Sequence, residues 1–271
     1  MKVNHLLNKQ INISLKVLLI LLIVLTVKFI VKAYAENVNL KKIEPQLDYH
    51  NILKGHVQHS EKLDPLAKQF NIGQKFDKEN LIRKVKVGEN WFWIPKWRSG
   101  TFKRETQVDF TPKGQIRYKS EVESVWGYQL DSHGEVWQYV YYPSSGSVRT
   151  DDYEEVKLYQ LIKPLEINVN LVQLYFRCIN LDVSDKTKKI IKSTIQEDIE
   201  TYTPVNPGKI LCRSSSAYYR ADGVYTNIVE GYSEENLIKP VTVIREFNGI
   251  DIVKSFHQFL MAKGWDYLIP H

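Results

Sequence analysis

The sequence predicts a mostly β domain, an up-and-down antiparallel meander that closes into a barrel, with one short helix before it and one helix after it. Three observations carry this prediction. Apolar and polar side chains alternate from Trp91 to about Glu246, the period of strands with one wet face. Turn chemistry interrupts the alternation at short intervals: Pro112-Lys113-Gly114, Asp131-Ser132-His133-Gly134, Pro143-Ser144-Ser145-Gly146, Lys163-Pro164, Ser184-Asp185-Lys186-Thr187, Asn206-Pro207-Gly208 and Asp222-Gly223. Helical spacing occurs in only two short stretches, one on each side of the strands.

The first stretch follows Ser60, a good N-cap residue, with Leu63, Leu66, Ala67 and Phe70 at helical spacing before Asn71 and Gly73, and it predicts a helix near 62–70. In the first strand Phe102, Arg104, Thr106, Val108 and Phe110 share a face. In the second, Ile116, Tyr118, Ser120, Val122, Ser124, Trp126 and Tyr128 do so. Charged residues such as Lys103, Glu105, Arg117, Lys119, Glu121 and Glu123 fall between them. Further strands are expected at 135–142, 147–162, 166–181, 188–203, 209–220, 224–232 and 241–246. Eight or nine long strands in series escape exposed edges by coiling into a closed barrel. Beyond them Ile250, Val253, Phe256, Leu260 and Met261 line one side of a helix that Gly264 ends, expected near 250–263 and packed on the outside.

Ahead of the domain, Lys2, Lys9 and Lys16 lead into the apolar run Val17 to Val27, and Ala33-Tyr34-Ala35 follows, a small-x-small triplet of the kind signal peptidases cut after. The run is short for a membrane span, which needs roughly 20 apolar residues. Two lysines, Lys28 and Lys32, sit between it and Ala35, so a signal anchor stands as the alternative to a cleaved signal peptide. Either way the globular part is expected to be exported, periplasmic or extracellular. The domain reading is therefore 1–35 signal peptide or signal anchor, 36–60 polar tether, 61–90 short helix and lead-in, 91–246 β-barrel, and 247–271 C-terminal helix and tail.

The 271 residues carry 37 Lys and Arg against 31 Asp and Glu, a formal charge of +6. Five lysines and no acid lie in residues 1–35, leaving the rest nearly neutral. A nucleic-acid partner, which a basic balance would suggest, is therefore not expected, and contact with a membrane is expected only through residues 1–35 if they are not cleaved.

The order of short helix, tryptophan-rich approach to the first strand, up-and-down strands and closing helix resembles the lipocalins and their wider calycin group. The residues that carry it are Trp97-Arg98-Ser99-Gly100-Thr101-Phe102 and Arg245 at the end of the last strand. The resemblance implies that Trp97, Gly100, Phe102 and Arg245 close the barrel, with Arg245 over the face of Trp97 or Phe102. Phe102 stands where that family has tryptophan. The chain also looks like exported bacterial proteins of unassigned role.

Polar residues on the inward rows are the candidates for binding. Arg104, Ser120, Ser124 and Glu197 would point into the lumen, where an ionised group is costly unless paired. An Arg104 and Glu197 cluster could then orient the polar head of an amphipathic ligand. Trp126 and Tyr128 belong to an aromatic concentration with Trp137, Tyr139 and Tyr141 that could stack an apolar or sugar ligand, or simply fill the core. The candidate ligand-binding residues are thus Arg104, Ser120, Ser124, Trp126, Tyr128 and Glu197.

No catalytic motif, metal site or cofactor is expected. His50, His56 and His59 lie in the tether, Asp151-Asp152-Tyr153-Glu154-Glu155 lacks the glycine turn of a calcium loop, and Ser214-Ser215-Ser216 lies in a strand without a partner histidine. Val85-Lys86-Val87-Gly88-Glu89-Asn90-Trp91 is similar to the opening of a LysM repeat, but the helices such a repeat requires do not follow. Cys178 and Cys212 are expected to face about Ile191 and Glu200 on a shared neighbouring strand, too far apart for a disulfide. The leading expectation is a non-enzymatic exported barrel that binds a small amphipathic or apolar ligand, a glycan or an envelope partner. The alternative is a structural or scaffolding component of a bacterial envelope machine of secretion or conjugation type, with a solid barrel and an N-terminal anchor.

Overall fold

A computed structural model describes residues 59–76, 88–111, 114–142, 144–149 and 151–270. The signal or anchor, nearly all of the tether with His50 and His56, and the start of the LysM-like stretch lie outside the described residues. Thirteen strands and one α-helix are described: β1 (Gly88–Ile94), β2 (Gly100–Thr111), β3 (Gly114–Trp126), β4 (Gln129–Leu130), β5 (Val136–Tyr142), β6 (Ser144–Arg149), β7 (Tyr153–Asn168), β8 (Leu171–Ser184), β9 (Ile190–Asn206), β10 (Lys209–Arg220), β11 (Tyr225–Lys239), β12 (Glu246–Phe247), β13 (Ile250–Asp251) and α1 (Ile252–Ala262).

The protein is mostly β, built on an eight-stranded antiparallel sheet in the order β3-β2-β11-β10-β9-β8-β7-β6. It is a meander whose last strand, β11, pairs back onto the first hairpin through β2, with Glu230 opposite Phe110 and Glu235 opposite Arg104. Closure would require β3 to pair with β6, and among the described residues it does not. The chain between those strands is spent elsewhere. Gly127, at φ +87°, turns the chain out of the sheet, and a Cβ there would fall 2.6 Å from Val136 Cγ1. Beyond it β4 and β5 join β1 in a separate three-stranded sheet, β1-β5-β4. The expected strand at 135–142 thus forms, but outside the main sheet.

Two other boundaries move. The run expected at 147–162 is a hairpin, β6 to β7, and the turn expected at Lys163-Pro164 falls instead at Val169-Asn170. Pro164 stays inside β7, opposite Leu174, beside an irregularity in register. β6 reaches only to Ser144 opposite Tyr159, so at Pro164 one side of β7 has no ladder to lose and the missing N–H costs nothing there. The segment 241–246 does not join the main sheet; β12 and β13 form a small hairpin ahead of α1.

The three-stranded sheet sits between the main sheet and the helix. Its inner face packs Phe92, Ile94, Val136 and Val140 against Phe102, Val172, Leu174, Tyr202, Ile210 and Cys212. Its outer face packs Trp91, Tyr128, Trp137 and Tyr139 against Ile252, Phe256 and Leu260 of α1. Those three recur every fourth residue, the stripe an amphipathic helix buries, and the Asp251 carboxylate caps the helix by accepting the Lys254 N–H at 2.9 Å.

The expected helix near 62–70 is replaced by an extended strap with a single helical turn at Lys68–Phe70. Its backbone groups find partners in the turns of the main sheet: Leu63 N–H donates to Gly223 O at 2.9 Å, Leu66 N–H to Ala221 O at 2.8 Å, and Gly73 N–H to Ile190 O at 2.8 Å. Pro65 has no N–H to contribute to a helix, and satisfied main-chain groups elsewhere remove the reason to form one. Leu63 and Phe70 of the strap cover Val156, Ile179, Leu181, Ile190, Ile195 and Tyr219. These lie on the opposite face of the main sheet from Tyr202 and Cys212, since Ile195 and Tyr202 are an odd number of residues apart on β9.

Candidate functional site

Of the sequence candidates, Arg104, Ser124 and Trp126 share one face of the main sheet. Arg104 lies opposite Val122 and Glu235, Ser124 opposite Phe102, and Trp126 packs edge-on to Tyr202 at 5.6 Å. Ser120 lies on β3 where the pairing with β2 slips between Arg104 and Thr106. Tyr128 does not belong with them; it is buried under the C-terminal hairpin, 5.5 Å from the Phe247 ring and 6.0 Å from Tyr139. Glu197 is also misplaced by the sequence reading. It pairs with Ala217 and Arg177 on the strap side, whereas Arg104 belongs to the row of Glu235, Ile210 and Pro204 on the other. No Arg104 and Glu197 cluster exists, because bulges beside Arg104, at Lys209 and on β11 shift parity between the strands.

The floor of the first face is an aromatic cage around a residue the sequence reading quoted but did not single out. Arg98 is fully buried, its Nη1 2.9 Å from Glu235 Oε2 and its Cζ 3.9 Å from the Trp126 ring centre, 4.0 Å from Tyr202 and 5.1 Å from Phe102. The cation-to-ring contact expected of Arg245 is made here by Arg98. Arg245 itself is exposed and borders a second open cavity of about 740 Å³ beside Asp131, Asp251 and His257. The other three proposed closure residues meet at this floor. Trp97 donates its indole N–H to Val169 O at 2.7 Å, Phe102 is fully buried, and Gly100 sits at φ +124° where a Cβ would lie 2.5 Å from Lys239 O. The one sequence signal for Arg98 was an arginine between tryptophan and glycine at the mouth of the first strand.

Next to the cage, where the three-stranded sheet no longer covers it, the same face holds an open cavity of about 880 Å³. Its lining takes residues from every strand of the main sheet, from Val122 on β3 to Ser147 on β6. Val122 and Val229 supply apolar surface, Tyr159 and Tyr218 rings with hydroxyls, Arg104, Lys157, Asn180 and Gln196 polar heads, and Glu155 and Asp182 carboxylates. A hydrogen-bonded chain runs across it: Asn180 donates to Gln196 Oε1 at 2.6 Å, Gln196 to Asp198 Oδ1 at 2.5 Å, and Lys157 to Asp198 Oδ2 at 2.9 Å. Burial opposes the charge on Lys157, but the facing Asp198 more than offsets it and holds the ammonium above its ordinary range. Burial pushes the Tyr159 hydroxyl up to about 12. Glu200, whose carboxylate accepts from the Tyr202 hydroxyl, is also pushed up, first by burial and then by Asp198.

Glu197, on the strap side, is the hub of a second polar cluster. Ser60 donates to it twice, from N–H at 2.9 Å and from Oγ at 2.8 Å, and the Tyr175 hydroxyl donates at 2.6 Å. Tyr219 Oη lies 2.9 Å from the carboxylate and 2.7 Å from Ser60 O. Burial alone would raise this carboxyl; the adjacent His59 and hydrogen bonds from Tyr175 and Ser60 reverse the effect and hold it well below the usual carboxylate range. Ser215, expected to have no histidine, receives one from 156 residues away: His59 Nε2 is 2.9 Å from Ser215 Oγ, and His59 Nδ1 is 3.9 Å from Glu197. Serine, histidine and carboxylate thus stand in the order of a hydrolytic triad. Ser215, however, is only 2% exposed, and β10 is flanked by β9 and β11, so its neighbouring amides are spent on the ladder rather than aimed at an oxyanion. The cluster is a clasp that fastens the strap to the sheet.

Among the described residues no three His, Cys, Asp or Glu side chains gather as a metal ion would require, and no helix is long and apolar enough to cross a membrane. Cys178 and Cys212 are buried, free thiols. Their partners on β9 are Gln196 and Tyr202 rather than Ile191 and Glu200, still about 20 Å apart along the strand against the roughly 7 Å that a disulfide tolerates.

No protein family, curated protein or solved structure matches this chain.

Proposed function

We propose that the chain is an exported, non-enzymatic binding protein that holds a small amphipathic molecule in the uncovered half of an incompletely closed, lipocalin-like barrel. One observation carries the reading: a single cavity of about 880 Å³ touches all eight strands of the main sheet. A lining drawn from both ends of the strand order, Val122 on β3 and Ser147 on β6, supports a sheet that curls around the space. The volume lies within the range of small-molecule sites, roughly 300–1,000 Å³, and the lining sets Val122, Val229 and the rings of Tyr159 and Tyr218 among more numerous polar side chains. Export is supported by Lys2 to Ala35, which read as a signal or anchor.

The test is binding of an amphipathic fluorophore, 8-anilinonaphthalene-1-sulfonate, to the native protein and to Val229→Trp, which puts an indole into the cavity. Saturable binding at one site, weakened at least tenfold by Val229→Trp with the thermal midpoint kept, supports the reading. Absence of binding, or equal binding by both proteins, counts against it.

A scaffolding role in an envelope assembly is favoured by a different feature, the 13-residue edge strand β3, which has no outer partner among the described residues and exposes Ile116, Val122 and Val125. Cross-linking from β3 in intact cells that captures one partner protein at a constant ratio would move the weight to that role.

A further inference from the structure

With Glu197 on the far face, the cavity lining holds one cation, Arg104, with no ion pair or hydrogen bond of its own among the described residues, and that points to the ligand. The lining carries three cationic side chains. Lys157 is 2.9 Å from Asp198 and Lys192 is 3.5 Å from Asp182. Arg104 forms no ion pair or hydrogen bond among the described residues, and its Nε is shielded from solvent without a partner. Glu200 and Glu235 lie close enough to favour its charge, but neither bonds it: Glu235 is taken by Arg98 at 2.9 Å, and Glu200 accepts from the Tyr202 hydroxyl. Arginine does not lose its proton in proteins, so it cannot escape desolvation by becoming neutral as lysine can. A half-buried guanidinium that faces a cavity and is bonded to no carboxylate therefore favours an anion placed there, and its planar fork suits the paired oxygens of a carboxylate or phosphate. Val122, opposite Arg104 on β3, and Val229, Tyr159 and Tyr218 around the same space offer an apolar wall for whatever the anion is attached to.

We infer that Arg104 anchors the anionic head, carboxylate or phosphate, of a ligand whose apolar body lies along the Val122, Val229, Tyr159 and Tyr218 wall. This rests on the cavity being a binding site, and the experiment separates the two claims. Affinities are measured by calorimetry on the full chain for dodecanoate, dodecyl phosphate, dodecanol, and inorganic phosphate with acetate as bare heads. The expected result is that both anionic amphiphiles bind at least tenfold more tightly than dodecanol, that the bare heads bind far more weakly than either, and that Arg104→Gln abolishes the preference while dodecanol binding stays within about twofold. Equal affinity for all three amphiphiles overturns the anionic assignment and leaves the cavity as a site. A preference retained in Arg104→Gln overturns Arg104 as the anchor. Bare heads binding as tightly as the amphiphiles overturn the apolar wall, and no binding by any of them overturns the cavity reading itself. Should Arg104→Gln not fold, the native protein decides: the ¹³C-labelled carboxyl of bound dodecanoate is expected to titrate below its free value, and titration above it would place the head away from Arg104.

Discussion

Glu197 and Glu200 lie three residues apart on β9 and point to opposite faces, and burial pushes the pKa of both upward. Their fates diverge because their donors differ. Under the strap, Glu197 collects hydrogen bonds from Ser60 and Tyr175, with His59 beside it, and ends as a firmly ionised carboxylate. On the cavity face, Glu200 has the Tyr202 hydroxyl and a neighbouring Asp198, and it stays biased toward the neutral acid. One face of the strand is thus a finished polar knot and the other an electrostatically unfinished surface. A sealed face stabilises the fold, and an unfinished one is where a ligand has something to complete.

The largest effect is expected at the floor of the open face. Arg98→Met leaves the Glu235 carboxylate buried without its cation and should cost about 3–5 kcal/mol in urea denaturation, whereas the double change Arg98→Met with Glu235→Leu should recover most of the loss. A double variant no better than the single one would mean that the cage, and not the ion pair, sets the cost.

Cutting the knot comes next. Glu197→Ala strands the Tyr175 hydroxyl and both Ser60 donors, for an expected loss of about 3 kcal/mol. The strap should then become the first segment cut in limited proteolysis, while the cavity keeps its ligand. If the cavity and the strap are lost together, the two faces are not independent.

The pH response sharpens the contrast. The folded-state pKa of Glu197 lies below its unfolded value near 4.3, so its stabilisation is present above about pH 4.3 and is lost only as pH falls through the depressed value. For Glu200 the folded pKa is raised, so its contribution is present below about pH 4.3 and is lost as pH rises through the raised value. Glu200→Gln should accordingly raise the denaturation midpoint at pH 8 and leave it nearly unchanged at pH 4. A midpoint lowered at pH 8 would show that the carboxylate is used there as an anion.

The smallest effect concerns the thiols. Burial pushes both Cys178 and Cys212 up, so neither should react with a thiol reagent in the native state at neutral pH, and two per chain should react after denaturation.

Strand content was legible because period-two alternation is a local property, and β10 was read to the residue. Closure was not, because it depends on whether β3 meets β6, a long-range pairing that Gly127 prevents by turning the chain into a second sheet. The strap was misread for a similar reason: Leu63, Leu66 and Phe70 recur at helical spacing, but the backbone partners of Leu63 and Leu66, Gly223 and Ala221, lie about 160 residues away. In the candidate site, Arg104, Ser124 and Trp126 kept their shared face, whereas Glu197 was lost to parity because bulges leave no mark in the alternation itself. The Ser215 and His59 contact had no sequence signal at all.

Native mass spectrometry of the full chain recovered from its own cells tests most directly whether the open face is a binding site. The expected spectrum shows one small molecule bound per chain, absent from Val229→Trp and lost from Arg104→Gln. A bare chain in every charge state, or an adduct retained by Val229→Trp, would contradict the account.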